Sequence, residues 1–437
     1  MEIIMNSSNS SLFDSREYRR SRNAYMLECA FEYFVAILAS DAFLPYLLLS
    51  IGMPDSLTGI TSSIISLSFL FQFFAVGIAQ KVKNTKRFAT LIHCFGQMFF
   101  MCVYLVPFLP FAEKYKHILV IACLLVAYFG NYLVTNIIFK WGNSFVEPHN
   151  RGTFGAVKEI ISLLTGMVVS LGVGFAIDAF KARGNAKGAF IFAAIGIFVF
   201  VLCDFICLML IKNEQRDESA PQEKIPLREV LSGTVGNKNF RSLIVLGILW
   251  NCAAYTSIGF LGSYRLEELS FSMGEIQIFI IVATVFRVLV SRPFGRYADL
   301  KSHAKSVELG LLVAAIGFAI NIFTMPETRY LILVFTVLYY ICAAGIGQPM
   351  INMTYNYVDA KYFVQACAIK NSIAGICGFL ASLGAGKLLS VVQENGNMIF
   401  GMRIYGQQVL SAISLLFAVA ALLYTHFVIG KQKIMIQ

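Results

Sequence analysis

The chain has 437 residues, of which 57% are hydrophobic and 14% are charged, and its mean hydropathy is +0.70. Soluble globular proteins carry about 25% charged residues, so this composition excludes an ordinary soluble enzyme or binding domain. The net charge of +10 does not indicate a nucleic-acid-binding surface, because most Lys and Arg residues fall in segments predicted to face the cytoplasm.

Apolar segments long enough to cross about 30 Å of hydrocarbon recur along the whole sequence. They predict an all-α polytopic membrane protein with twelve transmembrane helices, which we call spans 1 to 12. The predicted spans cover residues 24–50, 56–80, 88–110, 117–140, 153–178, 188–211, 241–263, 272–295, 305–325, 330–357, 361–389 and 403–429.

The distribution of Lys and Arg predicts that both termini are cytoplasmic, and we expect the protein in the plasma membrane. Residues 1–22 are polar and lack an apolar core, so we expect a cytoplasmic tail and no signal peptide. A second short tail covers residues 431–437. All ten cysteines fall within predicted spans and no CxxC pair occurs, so we expect no disulfide.

An internal repeat divides the chain. The sequences "KEIISLLTGMVVSLGVG" (158–174) and "KNSIAGICGFLASLGAG" (370–386) align without a gap 212 positions apart, pairing Lys158 with Lys370 and Gly166 with Gly378. Between the halves lies a charged linker, residues 212–240. The repeat predicts two pseudo-symmetric six-helix bundles, residues 23–211 and 241–430, and halves of this kind place a substrate site near mid-membrane at their interface.

The segment "RPFGRYADLKSHAK" (292–305), between spans 8 and 9, resembles the loop signature of the major facilitator superfamily. Gly295 and Asp299 match the signature. The resemblance implies a monomeric transporter that works by alternating access, with Gly295 allowing close helix packing. It also implies that Asp299 meets the start of span 5, near Arg151 and Gly152, where a helix N-terminus attracts an anion.

The first-half copy of this loop, "GIAQKVKNTKR" (77–87), keeps Gly77 but has Lys81 in the place of the aspartate. A gating lock on that side is therefore not expected, although Gly77 stays a gating candidate. Span 5 lacks the Gly-Pro signature of drug–proton antiporters, and span 4 lacks the arginine common in such exporters. Both departures disfavour drug export.

Span 1 carries three acidic residues, Glu28, Glu32 and Asp41, and each charge costs about 2.5–3.5 kcal/mol in the membrane centre. We expect Glu28, near the cytoplasmic end, to reach the interface or to pair with Arg22. Glu32 and Asp41 lie nine residues apart on opposite sides of a helix, and Pro45 permits a bend only beyond both. One of the two is therefore expected to line the transport path. We favour Glu32 as the proton carrier, and the choice stays open.

Two cations are also predicted inside the membrane, Lys370 in span 11 and Arg287 in span 8. We expect Lys370 to face the path and Arg287 to form a gating pair with Glu159 of span 5. Alternatively, both cations reach a cytoplasmic vestibule. Other candidate path residues, each of which could instead form an interhelical hydrogen bond, are Asn131, Asn136, Asn251, Tyr255, Gln348, Asn352 and Tyr355.

These features predict a secondary active transporter that moves a small polar or anionic metabolite together with protons. The alternatives are a proton-driven exporter of lipophilic cations, with Glu32 or Asp41 as counter-ion, and a transporter-derived receptor. The sequence "GAGKLL" (384–389) lacks the first glycine and the Ser or Thr of a phosphate-binding loop. Histidine spacing indicates no metal site. We therefore expect no enzyme activity, cofactor or metal, and the expected partners are the substrate, protons and the lipid bilayer.

Overall fold

The computed structural model describes residues 13, 15–40, 42–79, 84–147, 151–213, 227–399 and 401–432. The candidate residue Asp41, the predicted loop residue Lys81 and much of the predicted linker lie outside this part of the chain. Gly77, Arg151 and Gly152 lie on described helices, but their side chains are not among the described ones.

Within the described residues, twelve segments are long and apolar enough to cross a membrane, which confirms the predicted number of spans. Spans 1 and 2 are interrupted, span 7 continues beyond Ser257 through short helical segments to Glu268, and each of the other spans is built on one long helix. In chain order, the span helices are Arg16–Leu38 with Phe43–Ser50, Asp55–Ser62 with Ile64–Ser68 and Phe71–Ala79, Thr85–Leu105, Glu113–Asn143, Arg151–Ala182, Ala186–Leu210, Lys238–Ser257, Met273–Leu300, His303–Asn321, Leu331–Tyr357, Phe363–Glu394 and Gly406–Phe427.

Contacts group the chain into two compact units, each described here by itself. Unit 1 comprises Met1–Phe43 and Phe74–Glu223, and unit 2 comprises Leu44–Phe73 and Lys224–Gln437. The end of span 1 and most of span 2 thus pack with the C-terminal residues. The predicted boundaries of the two bundles, at residues 211 and 241, remain a prediction.

The helix of span 1 ends at Leu38 and restarts at Phe43. The side chain of Tyr104 donates a hydrogen bond to the carbonyl of Leu38, which satisfies an acceptor freed at the helix end. The prediction that a bend occurs only at Pro45 is wrong, because the interruption precedes Asp41. The helical argument that set Glu32 and Asp41 on opposite sides therefore no longer applies.

Glycines allow close helix packing inside each unit. In unit 1, a Cβ placed on Gly130 of span 4 would lie 2.8 Å from the Cα of Gly96 in span 3. In unit 2, Gly375 of span 11 faces the backbone of Ser66 in span 2, and the Ser66 hydroxyl donates to the Gly375 carbonyl at 2.8 Å. A β-hairpin of β1 (Met398–Ile399) and β2 (Met402–Arg403) joins spans 11 and 12.

A short helix, Leu227–Thr234, which we call the linker helix, docks onto the start of span 11 within unit 2. The Tyr362 hydroxyl donates to Glu229 Oε1 at 2.6 Å, and the Lys361 ammonium donates to the same oxygen at 3.2 Å. These contacts lower the pKa of the Glu229 carboxyl below its usual value, first through the Tyr362 hydrogen bond and then through Lys361.

Docking of the linker helix is predicted to depend on pH. A carboxyl whose pKa is lowered in the folded state stabilises that state above its unfolded pKa, and the contribution is lost as the pH falls through the folded pKa. We expect the protection of the amides of residues 227–234, measured against their intrinsic exchange rate at each pH, to fall in acid. Glu229→Gln should remove this pH dependence, and an unchanged profile in that variant would contradict the assignment.

The packing of spans 3 and 4 is predicted to be intolerant of one methyl group. Gly130→Ala would place a Cβ against the backbone of Gly96, so we expect a loss of about 1–3 kcal/mol of stability. Gly172→Ala is the matched control, because its Cβ would meet no described atom within 4 Å. Thermal unfolding of both variants checks the prediction, and equal midpoints would contradict it.

Candidate functional site

Three titratable side chains from three different spans meet in the interior of unit 1. Glu28 of span 1, His93 of span 3 and Asp204 of span 6 are 0%, 1% and 1% exposed. His93 Nε2 lies 3.0 Å from Asp204 Oδ2, and one ligand atom from each of the three residues lies within 4.8 Å of the others. We call these residues, together with Glu32, the acid–histidine cluster.

The structure corrects the expectation for Glu28. Its carboxylate does not reach the interface, because the residue is fully buried against His93 and Asp204. Arg22, the expected partner, instead donates from Nη1 to the backbone carbonyls of Phe13 and Phe145. Glu28 therefore belongs to the interior charge network of unit 1.

Several side chains on one face of the span 1 helix take part in this network. Tyr25, Glu28, Cys29 and Glu32 recur three or four residues apart, which places them on one side of a helix. The Cys29 thiol donates to Glu28 Oε2 at 3.2 Å. Lys158 of span 5 donates to the Tyr25 hydroxyl oxygen at 3.3 Å, and its ammonium lies 4.7 Å from the Tyr25 ring centre.

Glu32 joins this network, since it interacts electrostatically with His93, Asp204 and Lys158. It is the half-buried member of the acid–histidine cluster, whereas the other three members are almost inaccessible. The network thus combines three carboxylates with one imidazole and one ammonium group.

Several polar atoms of the cluster lack partners. Glu28 Oε1, His93 Nδ1 and Asp204 Oδ1 have no hydrogen bond to any described residue. One histidine and two carboxylates are also a donor set that suits a transition metal, so Glu28, His93 and Asp204 could hold one. Spacing along the chain could not reveal this arrangement, because each residue comes from a different span.

Sequence reasoning missed His93 and Asp204. The signal was present for Asp204, which is the one acidic residue in the apolar helix Ala186–Leu210 and carries the same insertion cost as the span 1 acids. His93 stands in an apolar segment as well. The sequence does not show how deep His93 and Asp204 lie in the membrane or which way their side chains point, and these properties decide whether they contact span 1.

In unit 2, the predicted path residue Lys370 is only 5% exposed. Its Cγ lies 3.7 Å from the position that a Cβ would take on Gly247 of span 7. Among the described residues, no carboxylate lies within 4.0 Å of its ammonium group. Lys370 is thus a buried cation on a helix interface, and its role in transport remains a prediction.

Other predicted path residues fall into small groups within unit 2. Asn251 and Tyr255 of span 7 both face Gly378 of span 11, and the Ser66 hydroxyl of span 2 faces the same glycine. Asn251 also donates to the Gly247 carbonyl of its own helix at 2.9 Å. The other candidates lie on span 10. Gln348 donates a hydrogen bond to Asn352 at 3.1 Å, and Tyr355 stacks on Phe363.

The last candidates are not drawn together by the described contacts. Asn131 is buried and Asn136 is half-buried in span 4, and Arg287 is half-buried beside Cys342. Glu159 and Asp299 are exposed, and a Cβ on Gly295 would meet no described atom within 4 Å. The Glu159–Arg287 pair, the contact of Asp299 with span 5, and the gating roles of Gly295 and Gly77 therefore remain predictions.

Comparisons with known proteins place this geometry in context. The sequence model of a family described as MFS/sugar transport protein matches residues 94–428. None of the curated proteins matches the sequence. A mutant of the nucleoside transporter NupG is similar in structure, with a TM-score of 0.72 and 13% identity, over 93% of this chain and 99% of that one.

Two further solved structures share the fold. A mutant of the peptide transporter POT in complex with alafosfalin has a TM-score of 0.65 and 13% identity, over 93% of each chain. A bacterial metal transporter has a TM-score of 0.61 and 14% identity, over 94% of this chain and 98% of that one. At these identities the likeness concerns the fold.

Energetic coupling inside the acid–histidine cluster can be measured. Asp204→Leu leaves His93 buried without its nearest carboxylate, and breaking a buried pair in this way costs about 3–5 kcal/mol. We expect the double variant His93→Leu/Asp204→Leu to lose less stability than the sum of the two single changes. Unfolding midpoints of the three variants test this, and strict additivity would show that the two side chains do not interact.

Proposed function

Because the chain belongs to the MFS/sugar transport protein family and is a multi-pass transporter of the major facilitator type, we propose that it moves a small polar or anionic metabolite across the plasma membrane together with protons. Transport follows the alternating access expected for this superfamily. The solute and the coupling ion are the parts of this statement that need a physical argument.

The acid–histidine cluster is the observation that carries proton coupling. With His93 and Lys158 charged and all three carboxylates ionised, the network holds one negative charge in excess. An uncompensated charge is costly away from water, so the cluster is most stable when it holds one further proton. A site that needs a proton for neutrality is a physical basis for coupling.

Glu32 is the member suited to exchange this proton. It is half-buried, whereas Glu28, His93 and Asp204 have almost no exposed surface. Its electrostatic interaction with Lys158 gives the proton an effect on a second span, because protonation of Glu32 removes its attraction for the ammonium group. Proton binding at Glu32 would thus be felt by span 5.

Lys370 supports a polar or anionic substrate. It is a buried cation with no carboxylate partner among the described residues, so it would attract a negative group. The described carboxylates of span 1 already interact with His93 and Lys158, which leaves them poorly placed to act as counter-ions for a lipophilic cation. This contrast favours metabolite transport over drug export and over a receptor that transports nothing.

Uptake into proteoliposomes tests the proposal. Radiolabelled sugars, sugar acids, amino acids, nucleosides and dipeptides would be offered with and without an imposed pH gradient, and ethidium would serve as the lipophilic cation. We expect a polar solute to accumulate only with the gradient. Glu32→Gln should abolish gradient-driven accumulation, because an amide cannot carry the proton.

Glu113→Gln is the matched control, since Glu113 is an exposed carboxylate at the start of span 4. It should leave accumulation unchanged. Accumulation that persists in Glu32→Gln, or that requires a divalent metal instead of a pH gradient, would refute proton coupling at this cluster. Gradient-driven movement of ethidium alone would make the protein an exporter.

A further inference from the structure

The internal repeat places two lysines at equivalent helix contacts. Lys158 lies over Tyr25 of span 1, and Lys370 lies over Gly247 of span 7. Eight residues further along each helix, Gly166 faces the ring of Tyr33 in span 1, and Gly378 faces the ring of Tyr255 in span 7. Span 5 therefore packs on span 1 as span 11 packs on span 7.

These contacts fix how span 1 and span 7 correspond. Tyr25 and Gly247 are 222 positions apart, and so are Tyr33 and Tyr255. At this offset, Glu28 corresponds to Trp250 and Glu32 corresponds to Ala254. The lysine is repeated, but the two carboxylates beside it are replaced by an indole ring and a methyl group.

This replacement leaves Lys370 without the protein carboxylates that accompany Lys158. Lys370 is 5% exposed, and an unpaired ammonium at this burial is costly unless a negative group approaches it. Gly247 has no side chain, so span 7 supplies no polar group at the point where the stem of Lys370 packs. A charged Lys370 side chain therefore requires a counter-ion, and the described residues of unit 2 place no carboxylate within 4.0 Å of it.

One member of a stacked aromatic pair lies on span 7, one helical turn from Gly247. Trp250 follows Gly247 by three residues, which places it one helical turn away on a neighbouring part of the surface. Its ring lies nearly parallel to that of Tyr339 in span 10, with centroids 6.2 Å apart and an interplanar angle of 19°. Both side chains are half-buried, so part of each ring remains accessible.

The turn of span 10 that carries Tyr339 also interacts with span 8. Cys342, one turn from Tyr339 on span 10, interacts electrostatically with Arg287 of span 8. The Cys342 thiol also donates to the Tyr339 carbonyl at 2.9 Å, which fixes this turn of the helix. The Tyr339 turn of span 10 is thus linked through Cys342 to Arg287 of span 8.

We propose that Lys370, Trp250 and Tyr339 form the substrate site of unit 2 and that the substrate is a ring-bearing anion. Its carboxylate or other acidic group pairs with the Lys370 ammonium, and its ring packs on the face of Trp250. Asn251, beside Trp250 on span 7, supplies an amide to hydrogen-bond ring substituents. This inference rests on the proposed transport of a polar or anionic metabolite and specifies its class.

Equilibrium binding to the purified full-length protein tests the site with four probes. Glucuronate has a saturated ring and a carboxylate, benzoate has an aromatic ring and a carboxylate, gluconate has the carboxylate without a ring, and glucose has the ring without a charge. We expect glucuronate or benzoate to bind about tenfold or more tighter than gluconate and glucose, as a charged contact and a ring contact each imply. Which ring acid binds identifies the ring type.

Variants assign the binding to the named residues. Lys370→Met should weaken binding of the ring acid about tenfold or more, whereas Lys370→Arg should retain much of it. Lys387→Met removes an exposed lysine from the same helix and is the control. Trp250→Phe should keep binding and Trp250→Ala should lose it, as calorimetry can measure without the tryptophan signal.

Gluconate binding as tight as that of glucuronate, binding that survives Lys370→Met, or absence of binding by both ring acids would each overturn the inference. The measurement is made without a pH gradient, so it is independent of proton coupling. If the ring acid binds but the gradient drives no uptake, the proposed coupling fails and this site stands. If uptake is gradient-driven but no ring acid binds, the reverse holds.

Discussion

A charge buried among membrane-spanning helices must find its counter-charge inside the protein, because neither lipid nor water can supply it. Unit 1 satisfies this constraint within its own sequence: spans 1, 3, 5 and 6 bring together three carboxylates, His93 and Lys158. Every one of these charges stabilises another. With every group charged, the network is one positive charge short of neutrality, and that deficit is the basis of the proposed proton coupling.

Unit 2 inherits the same helix packing but a different electrostatic balance. Lys370 takes the position of Lys158, whereas Trp250 and Ala254 take those of the two span 1 glutamates. In the proposed mechanism, the two copies of the repeat therefore have different tasks. Protein carboxylates surround one lysine and favour proton binding, and the absence of described carboxylates near the other favours an anionic ligand.

The architecture was accessible from the sequence because hydrocarbon thickness sets helix length, and repeats align by residue type. The pairing of Lys158 with Lys370 and of Gly166 with Gly378 is matched by equivalent packing in each unit. The acid–histidine cluster was not accessible, because the depth and rotation of spans 3 and 6 are tertiary properties. The interruption of span 1 before Asp41 likewise depends on packing, because the Tyr104 hydroxyl donates a hydrogen bond to the Leu38 carbonyl at the end of the helix.

The measurement that tests the central claim most directly is infrared spectroscopy of the purified protein across a pH titration. A protonated carboxyl group has a carbonyl stretching band distinct from that of a carboxylate. At neutral pH we expect such a band in the native protein, and we expect Glu32→Gln to remove or shift it. A native spectrum without any protonated carboxyl at neutral pH would contradict the account, because the cluster would then carry its excess charge without a proton.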